Sequence, residues 1–345
     1  MNSRRLHAAA LALALCTNFA PDHASAYCRM TTEGGPQVGD KPCVEEGAPL
    51  VWSNSCLTYA VDYRGSRWFQ NEDGTPDLAE VEALVDQSFF TWTEADCGGA
   101  PPNLIFQPLD ASTCRRAEFK NDGNVNTIAF LDPWKDPCAE AGTGYDPFAF
   151  AVTVVWHNTS SGQILDADLM VNDQLASRFS AGGPYADCPD TGCPEGSTNS
   201  PGPADLRSII THEAGHFIGI GHSEVASATM FASAERSSVE KRTLAQDDIN
   251  AVCAIYPPGS LEPTCNAAPL CGLQLNCETD STGEPLACAT SGGSVDCGSG
   301  GGGGCSATGT MQSPGDIGDT WGALLLALLG ITVVRRRSNR RGARS

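Results

Sequence analysis

Basic residues are scarce in this chain: 21 Lys and Arg stand against 41 Asp and Glu. Eight of those 21 lie in the two ends, so residues 27–334 carry 13 basic and 40 acidic side chains, a net charge of 13 − 40 = −27. Such a surface repels nucleic acid and anionic lipid and favours solubility. Nucleic acid is therefore excluded as a partner class, and nothing argues for phosphate binding. No apolar run reaches the roughly 20 residues that cross a bilayer core; Trp321–Val334 stops at 14. Histidine is rarer still, with six residues in 345, and no internal repeat is present.

Cysteine is what the chain has in plenty, at 16 residues. Setting aside Cys16 and Cys305 leaves 14, an even number. In an exported chain an even, scattered set reads as a disulfide framework. Seven bridges allow too many pairings to assign, although Cys188 and Cys193 would close a short Pro- and Gly-containing loop.

Both ends read as sorting signals. Residues 1–26 combine Arg4 and Arg5, an apolar run from Ala8 to Cys16, and Ala24-Ser25-Ala26, the pattern of a signal peptide cut before Tyr27. Leu15 stands where a lipoprotein signal wants a small residue before Cys16. At the other end, five glycines up to Gly304, then Cys305, precede Trp321–Val334 and six arginines. A basic cluster behind an apolar stretch reads as stop-transfer. This 305–345 assembly resembles the myxobacterial C-terminal sorting tail (MYXO-CTERM), which implies delivery to the cell surface or beyond, with the tail removed near the cysteine.

Between them, residues 27–50 form a short turn-rich segment and 257–304 a Gly-rich stretch with five cysteines, a cross-linked stalk in expectation. The body, 51–256, alternates strand and helix signals. Strands are expected at Leu57–Tyr63, Asn103–Pro108, Val125–Leu131, Phe148–Trp156 and Ile164–Val171. Thr75 and Pro76 read as the cap and first residue of a helix carrying Leu78, Val81, Val85, Phe89 and Trp92 at helical spacing. Further helices are expected at Asp205–Ile218 and Thr243–Tyr256, and the Ser180–Ala204 loop is long enough to mark function or a disulfide-stapled excursion.

The chemistry concentrates in His212-Glu213-Ala214-Gly215-His216-Phe217-Ile218-Gly219-Ile220-Gly221-His222. Histidines four apart share one helix face, so both imidazoles can reach one ion. Glu213 sits beside them, placed to accept a proton from water held by the metal. Gly219 allows the helix to end in a left-handed turn that brings His222 back as third ligand. Three protein ligands leave the fourth position open, as catalysis requires, whereas a structural zinc is closed by four.

These residues resemble the metzincins, HExxHxxGxxH followed by a methionine turn, and within them the matrixins. Ser223 follows the third histidine as in matrixins, Met230 lies eight positions past His222, and Leu244-Ala245-Gln246-Asp247-Asp248-Ile249 is similar to the matrixin closing helix. The likeness covers 51–256 and is strongest from Arg207 to Tyr256. It implies an α+β, metzincin-type zincin fold. That fold has a twisted five-stranded mixed sheet, mostly parallel, an active-site helix, and a small C-terminal subdomain carrying the Met-turn. It also implies one catalytic Zn2+ on His212, His216 and His222, Glu213 as general base, and Met230 as an apolar floor. The activity implied is that of a zinc metalloendopeptidase acting on extracellular proteins or peptides, secreted or held at the surface, as a monomer touching membrane only through the unprocessed tail.

Three departures stand out. There is no PRCGxPD switch before the first strand, His157 is the only other histidine outside the signal peptide, and Ala232 stands where some metzincins place a tyrosine ligand. Val38-Gly39-Asp40 reads as a surface turn. Calcium on Asp166, Asp168 and Asp173 lacks an oxygen-ligand loop spacing, so a solvated strand face is the expectation. Two rival functions remain: an adhesin built on an inactive metzincin domain, and a zinc amidase acting on non-peptide bonds.

Overall fold

The computed structural model describes residues 27–34, 43–120, 123–135, 145–178, 183–196, 202–234, 237–260, 265 and 272–277, with short paired strands at 295–296 and 306–307. The expected signal peptide 1–26, Val38-Gly39-Asp40, most of 257–304 and the sorting tail beyond Ala307 lie outside the described residues. Among the described residues, no helix is long and apolar enough to cross a membrane.

Strand β1 (Val51–Trp52) leads through a turn into β2 (Cys56–Val61). Helix α1 (Leu78–Thr93), β3 (Ile105–Pro108), β4 (Thr127–Leu131), β5 (Ala151–His157) and β6 (Gln163–Asn172) follow. Then come β7 (Tyr185–Ala186), β8 (Ala204–Asp205), α2 (Leu206–Phe217) and α3 (Gln246–Ile255). The sheet runs β3-β2-β4-β6-β5, with β1 beside β6 as a two-residue sixth strand. Every pairing is parallel except the β5–β6 hairpin, which makes β5 the antiparallel edge. The mixed sheet thus has the expected five long strands plus one short one.

Residue alternation divides the sheet into two faces. Ala151, Val155, Ala167, Leu169 and Val171 point toward the helices and join Tyr59, Phe130, Val81, Phe89, Trp92, Ile210 and Phe217 in the main core. Fully burying a Val, Leu, Ile or Phe side chain contributes about 1.5–3 kcal/mol. Val152, Val154, Trp156 and Met170 face the other way and pack with Phe119 and Trp134. At the end of the hairpin Trp156 opposes Asp166 and His157 opposes Ile164. Leu165 is the extra residue of a bulge there, which shifts the alternation and explains why Ile164 shares a face with odd-numbered Ala167 and Leu169 while Leu165 shares one with Met170.

Two local expectations change. Helix α1 starts two residues late: Asp77, not Thr75, is its N-cap, accepting from the Glu80 N–H at 3.0 Å, while Thr75 hydrogen-bonds Asp73 instead. The last helix starts at Gln246, three residues later than expected, because Thr243 and Ala245 have extended backbone; residues 240–242 form a separate 3-10 turn. Five disulfides are described: Cys28–Cys43, Cys56–Cys265, Cys97–Cys253, Cys114–Cys277 and the anticipated Cys188–Cys193. Two of them tie the segment beyond 257 back to the sheet. There Asn124 N–H donates to Gly272 O at 2.9 Å and Thr113 N–H to Leu275 O at 2.8 Å. The start of the expected stalk is therefore laid along the domain.

Asp166, Asp168 and Asp173 are not on a solvated face; all three are buried, at 1 %, 1 % and 3 % exposure. Asp173 accepts from Ser66 Oγ and Arg67 N, away from the other two in role. Asp168 accepts from Thr127 N at 2.9 Å and Glu118 N at 3.0 Å, and shares a hydrogen bond with Asp166. Among the described residues these carboxylates do not form a metal-ligand grouping. Burial first, and then the charge of Asp168, raises the Asp166 carboxyl well above the usual range, and burial also raises Asp168.

Unfolded, both aspartates ionise near 3.9, so the folded chain holds the extra proton to higher pH. Stability is then lost as pH rises from about 4 through the raised folded values, because ionising the pair becomes an additional cost of staying folded. Asp166→Asn, which keeps the size and removes the charge, is expected to flatten that decline. Urea midpoints across about pH 4 to 8 check this, and a decline identical to wild type contradicts it.

Candidate metal centre

Helix α2 carries the motif, and its start is firmly held. The Asp205 carboxylate caps it, accepting from Ser208 N at 2.9 Å and Ser208 Oγ at 2.7 Å. The same carboxylate pairs with the Arg242 guanidinium, which also donates to Asp187 at 2.9 Å, Asp190 at 3.3 Å and Cys188 O at 2.7 Å. One buried arginine thus joins the disulfide-closed loop to the helix start.

The helix ends as the glycine predicted. Gly219 has φ +89°, and a Cβ there would lie 2.7 Å from Leu50 O. Its N–H donates to His216 O, and Ile220 N–H to Gly215 O, both at 2.9 Å. The N-terminal segment then supports the turn: Met30 N–H donates to Gly219 O at 3.0 Å and Gly221 N–H to Cys28 O at 2.8 Å. His222 follows immediately.

The three imidazoles converge in the interior, at 6 %, 2 % and 4 % exposure for His212, His216 and His222. One ligand atom from each lies within 4.8 Å of the others. Nδ1 of His212 faces Thr229 O at 2.7 Å, and Nδ1 of His216 faces Ile220 O at 2.8 Å. A carbonyl only accepts, so these Nδ1 atoms carry the protons and Nε2 is left as a lone pair. Nε2 of His212 and Nε2 of His222 stand 3.2 Å apart. Two nitrogens about 2.0–2.1 Å from a tetrahedral zinc are about 3.3–3.4 Å apart, so the donor set fits such an ion. Burial lowers both His212 and His216, the latter to about 4, which keeps them neutral and able to ligate.

Glu213 is buried beside them. Its carboxylate accepts from Thr153 Oγ at 2.8 Å, and the same hydroxyl lies 3.1 Å from the Glu213 carbonyl. Thr153 reaches it because the odd-numbered residues of β5 face the helices. Burial pushes the Glu213 carboxyl up to about 7, opposed by the Thr153 hydrogen bond.

Met230 packs on α2 where a Cβ on Gly215 would run into its sulfur and come within 2.8 Å of Trp92 Cζ2. The turn around it is gripped from both sides. Asp248 accepts from Thr229 N at 2.7 Å and Met230 N at 3.0 Å, and Lys241 Nζ donates to Thr229 O at 2.9 Å and to Phe231 O. Ser223 links the loop to α3, its N–H donating to Met230 O at 2.8 Å and its hydroxyl to Asp247 at 2.5 Å. Burial brings Lys241 down to about 8.

All four motif residues expected to act together are together. His157 ends β5, buried, and is no part of the grouping. Thr153 and Lys241 escaped sequence reasoning, since a threonine in a strand and a lysine in a loop carry no spacing signal. Asp248 was visible as part of the closing-helix motif, but its reach back to the 229–230 turn was not.

Comparison with known proteins bears on the same stretch. The Matrixin (Peptidase_M10) family model matches residues 148–257, which run from β5 to the end of α3. A curated relative, Metalloendoproteinase 1-MMP of Arabidopsis thaliana, is 44% identical over 54 residues, which are 16% of this chain and 15% of that protein. The match therefore spans a small part of the relative's length. The segment that folds into the edge hairpin, the histidine helix and the closing helix is matrixin-like.

Proposed function

We propose that this protein is a zinc-dependent endopeptidase, secreted or attached to the cell surface, that hydrolyses peptide bonds of extracellular proteins. The observation that carries the reading is the 3.2 Å separation of two Nε2 atoms within a buried trio of histidines, one of which is followed in the chain by a buried glutamate. His212, His216 and His222 would hold the ion, and no fourth His, Cys, Asp or Glu joins the grouping among the described residues. When bound, zinc supplies Lewis-acid chemistry, polarising a substrate carbonyl and making water more acidic.

Glu213 takes the proton of the attacking water and returns it to the leaving amine. Burial raises the Glu213 carboxyl, the direction that makes it a better proton acceptor than an ordinary carboxylate. Thr153 keeps the carboxylate in one orientation. We read the turn at Ala228–Phe231 as a Met-turn that floors the site, opening a small C-terminal subdomain closed by α3. The outer edge of β5, which pairs with β6 alone among the described strands, would bind an extended peptide by backbone hydrogen bonds. This favours protein or peptide substrates over the amidase alternative, and intact Glu213 and His222 favour an active enzyme over an adhesin. In the same reading the chain is a monomer exported by cleavage before Tyr27, and residues 305–345 sort it to the surface. Amino-terminal sequencing of the exported protein checks this, and a chain starting at Met1 contradicts it.

Glu213→Ala is expected to retain zinc at wild-type stoichiometry while casein digestion falls by at least the order of 10²–10⁴ that proton transfer contributes. His216→Ala is expected to lose both. Metal analysis beside a digestion assay separates the roles: zinc loss in Glu213→Ala equal to that in His216→Ala contradicts the assignment.

A further inference from the structure

The carbonyl of Thr229 accepts from Nδ1 of His212 at 2.7 Å and so fixes the tautomer and tilt of that imidazole. A carbonyl oxygen has two lone pairs, and the second is taken by the ammonium of Lys241 at 2.9 Å. The same ammonium donates to Phe231 O, one residue beyond Met230. On the opposite side of the turn, the Asp248 carboxylate accepts from the N–H groups of Thr229 and Met230. A negative group therefore holds the N–H side of this turn and a positive group its carbonyl side.

Lys241 has no ordinary surface role to explain this. Among the described residues no carboxylate lies within ion-pair distance of it. Its neighbour Arg242 takes the carboxylates of this region instead. The three-residue 3-10 turn at Glu240–Arg242 sends the two cations to different places: Arg242 to the start of α2, Lys241 to the turn beneath the histidines.

We propose that Lys241 is a positioning residue of the metal centre, whose ammonium fixes the carbonyl that orients His212 and thereby slows release of the ion. This rests on the zinc-peptidase reading above. Without the ammonium, the Thr229 carbonyl keeps only His212 as a donor and the Phe231 carbonyl loses this partner. His212 is then held by a freer acceptor. Removing a group that orients a metal-ligating histidine typically costs about 10- to 100-fold in metal affinity or activity.

The test compares full-length wild type, Lys241→Met, Lys241→Gln and Lys241→Arg, each loaded with zinc and challenged with a chromophoric chelator. Cobalt(II) absorption spectra of the same proteins report the ligand field directly. Lys241→Met is expected to release zinc at least about 10-fold faster and to shift the cobalt bands. Lys241→Arg, which can still donate to both carbonyls, stays near wild type. Lys241→Gln, with a donor but no charge, falls between and carries the comparison if the Met variant does not fold. Val81→Ala, in the core of α1, serves as a control for general destabilisation. A Met or Gln variant that releases zinc no faster than wild type, or no faster than Val81→Ala at matched thermal midpoint, overturns the proposal. Wild-type protein that takes up no zinc overturns the peptidase reading as well.

Discussion

Three imidazoles kept close together in the interior are the constraint on which the rest of this structure depends. Nε2 of His212 and Nε2 of His222 lie 3.2 Å apart, too close for both to carry a proton. Burial lowers His212 and His216 alike and so favours the neutral form of these two rings. The protein fixes the direction of His212 and His216 by giving each Nδ1 a backbone carbonyl to donate to. Both devices need a backbone that turns sharply at a chosen place, which Gly219 provides with its positive φ and its close approach to Leu50 O.

The supports around that turn come from distant parts of the chain. The N-terminal segment hydrogen-bonds Gly219 and Gly221, and the Cys28–Cys43 bridge closes it on itself. Trp52 Nε1 donates to Phe217 O at 2.8 Å, and the Tyr256 hydroxyl to Ile218 O at 3.0 Å. The start of α2 is held by Asp205 and Arg242, and its middle by the fit of Gly215 against Met230 and Trp92. Disulfides reinforce this where the secondary structure is thin: Cys97–Cys253 spans from the end of α1 to α3, closing a long loop of the kind whose restraint in the unfolded chain is worth a few kcal/mol.

Much of this was legible in the sequence. The histidine spacing gave the helix face, Gly219 gave the turn, and strand alternation located all five long strands to within three residues at each end. What stayed hidden has a common cause, namely dependence on contacts between segments far apart in the chain. Asp166 and Asp168 read as polar positions of a half-exposed strand, yet a second apolar core covers that face. One difference is local instead: Asp77 caps α1 where Thr75 was expected, because the Thr75 hydroxyl is engaged by Asp73. Thr153 and Lys241 gain their meaning only from α2 and the 229–231 turn folding against them.

The central claim is that three imidazoles and no other protein group hold a zinc ion. X-ray absorption spectroscopy of the zinc-loaded protein tests it most directly. The account predicts about four nitrogen or oxygen scatterers near 2.0–2.1 Å, three of them with the multiple-scattering pattern of imidazole. A sulfur shell near 2.3 Å, or fewer than three imidazoles, would contradict it.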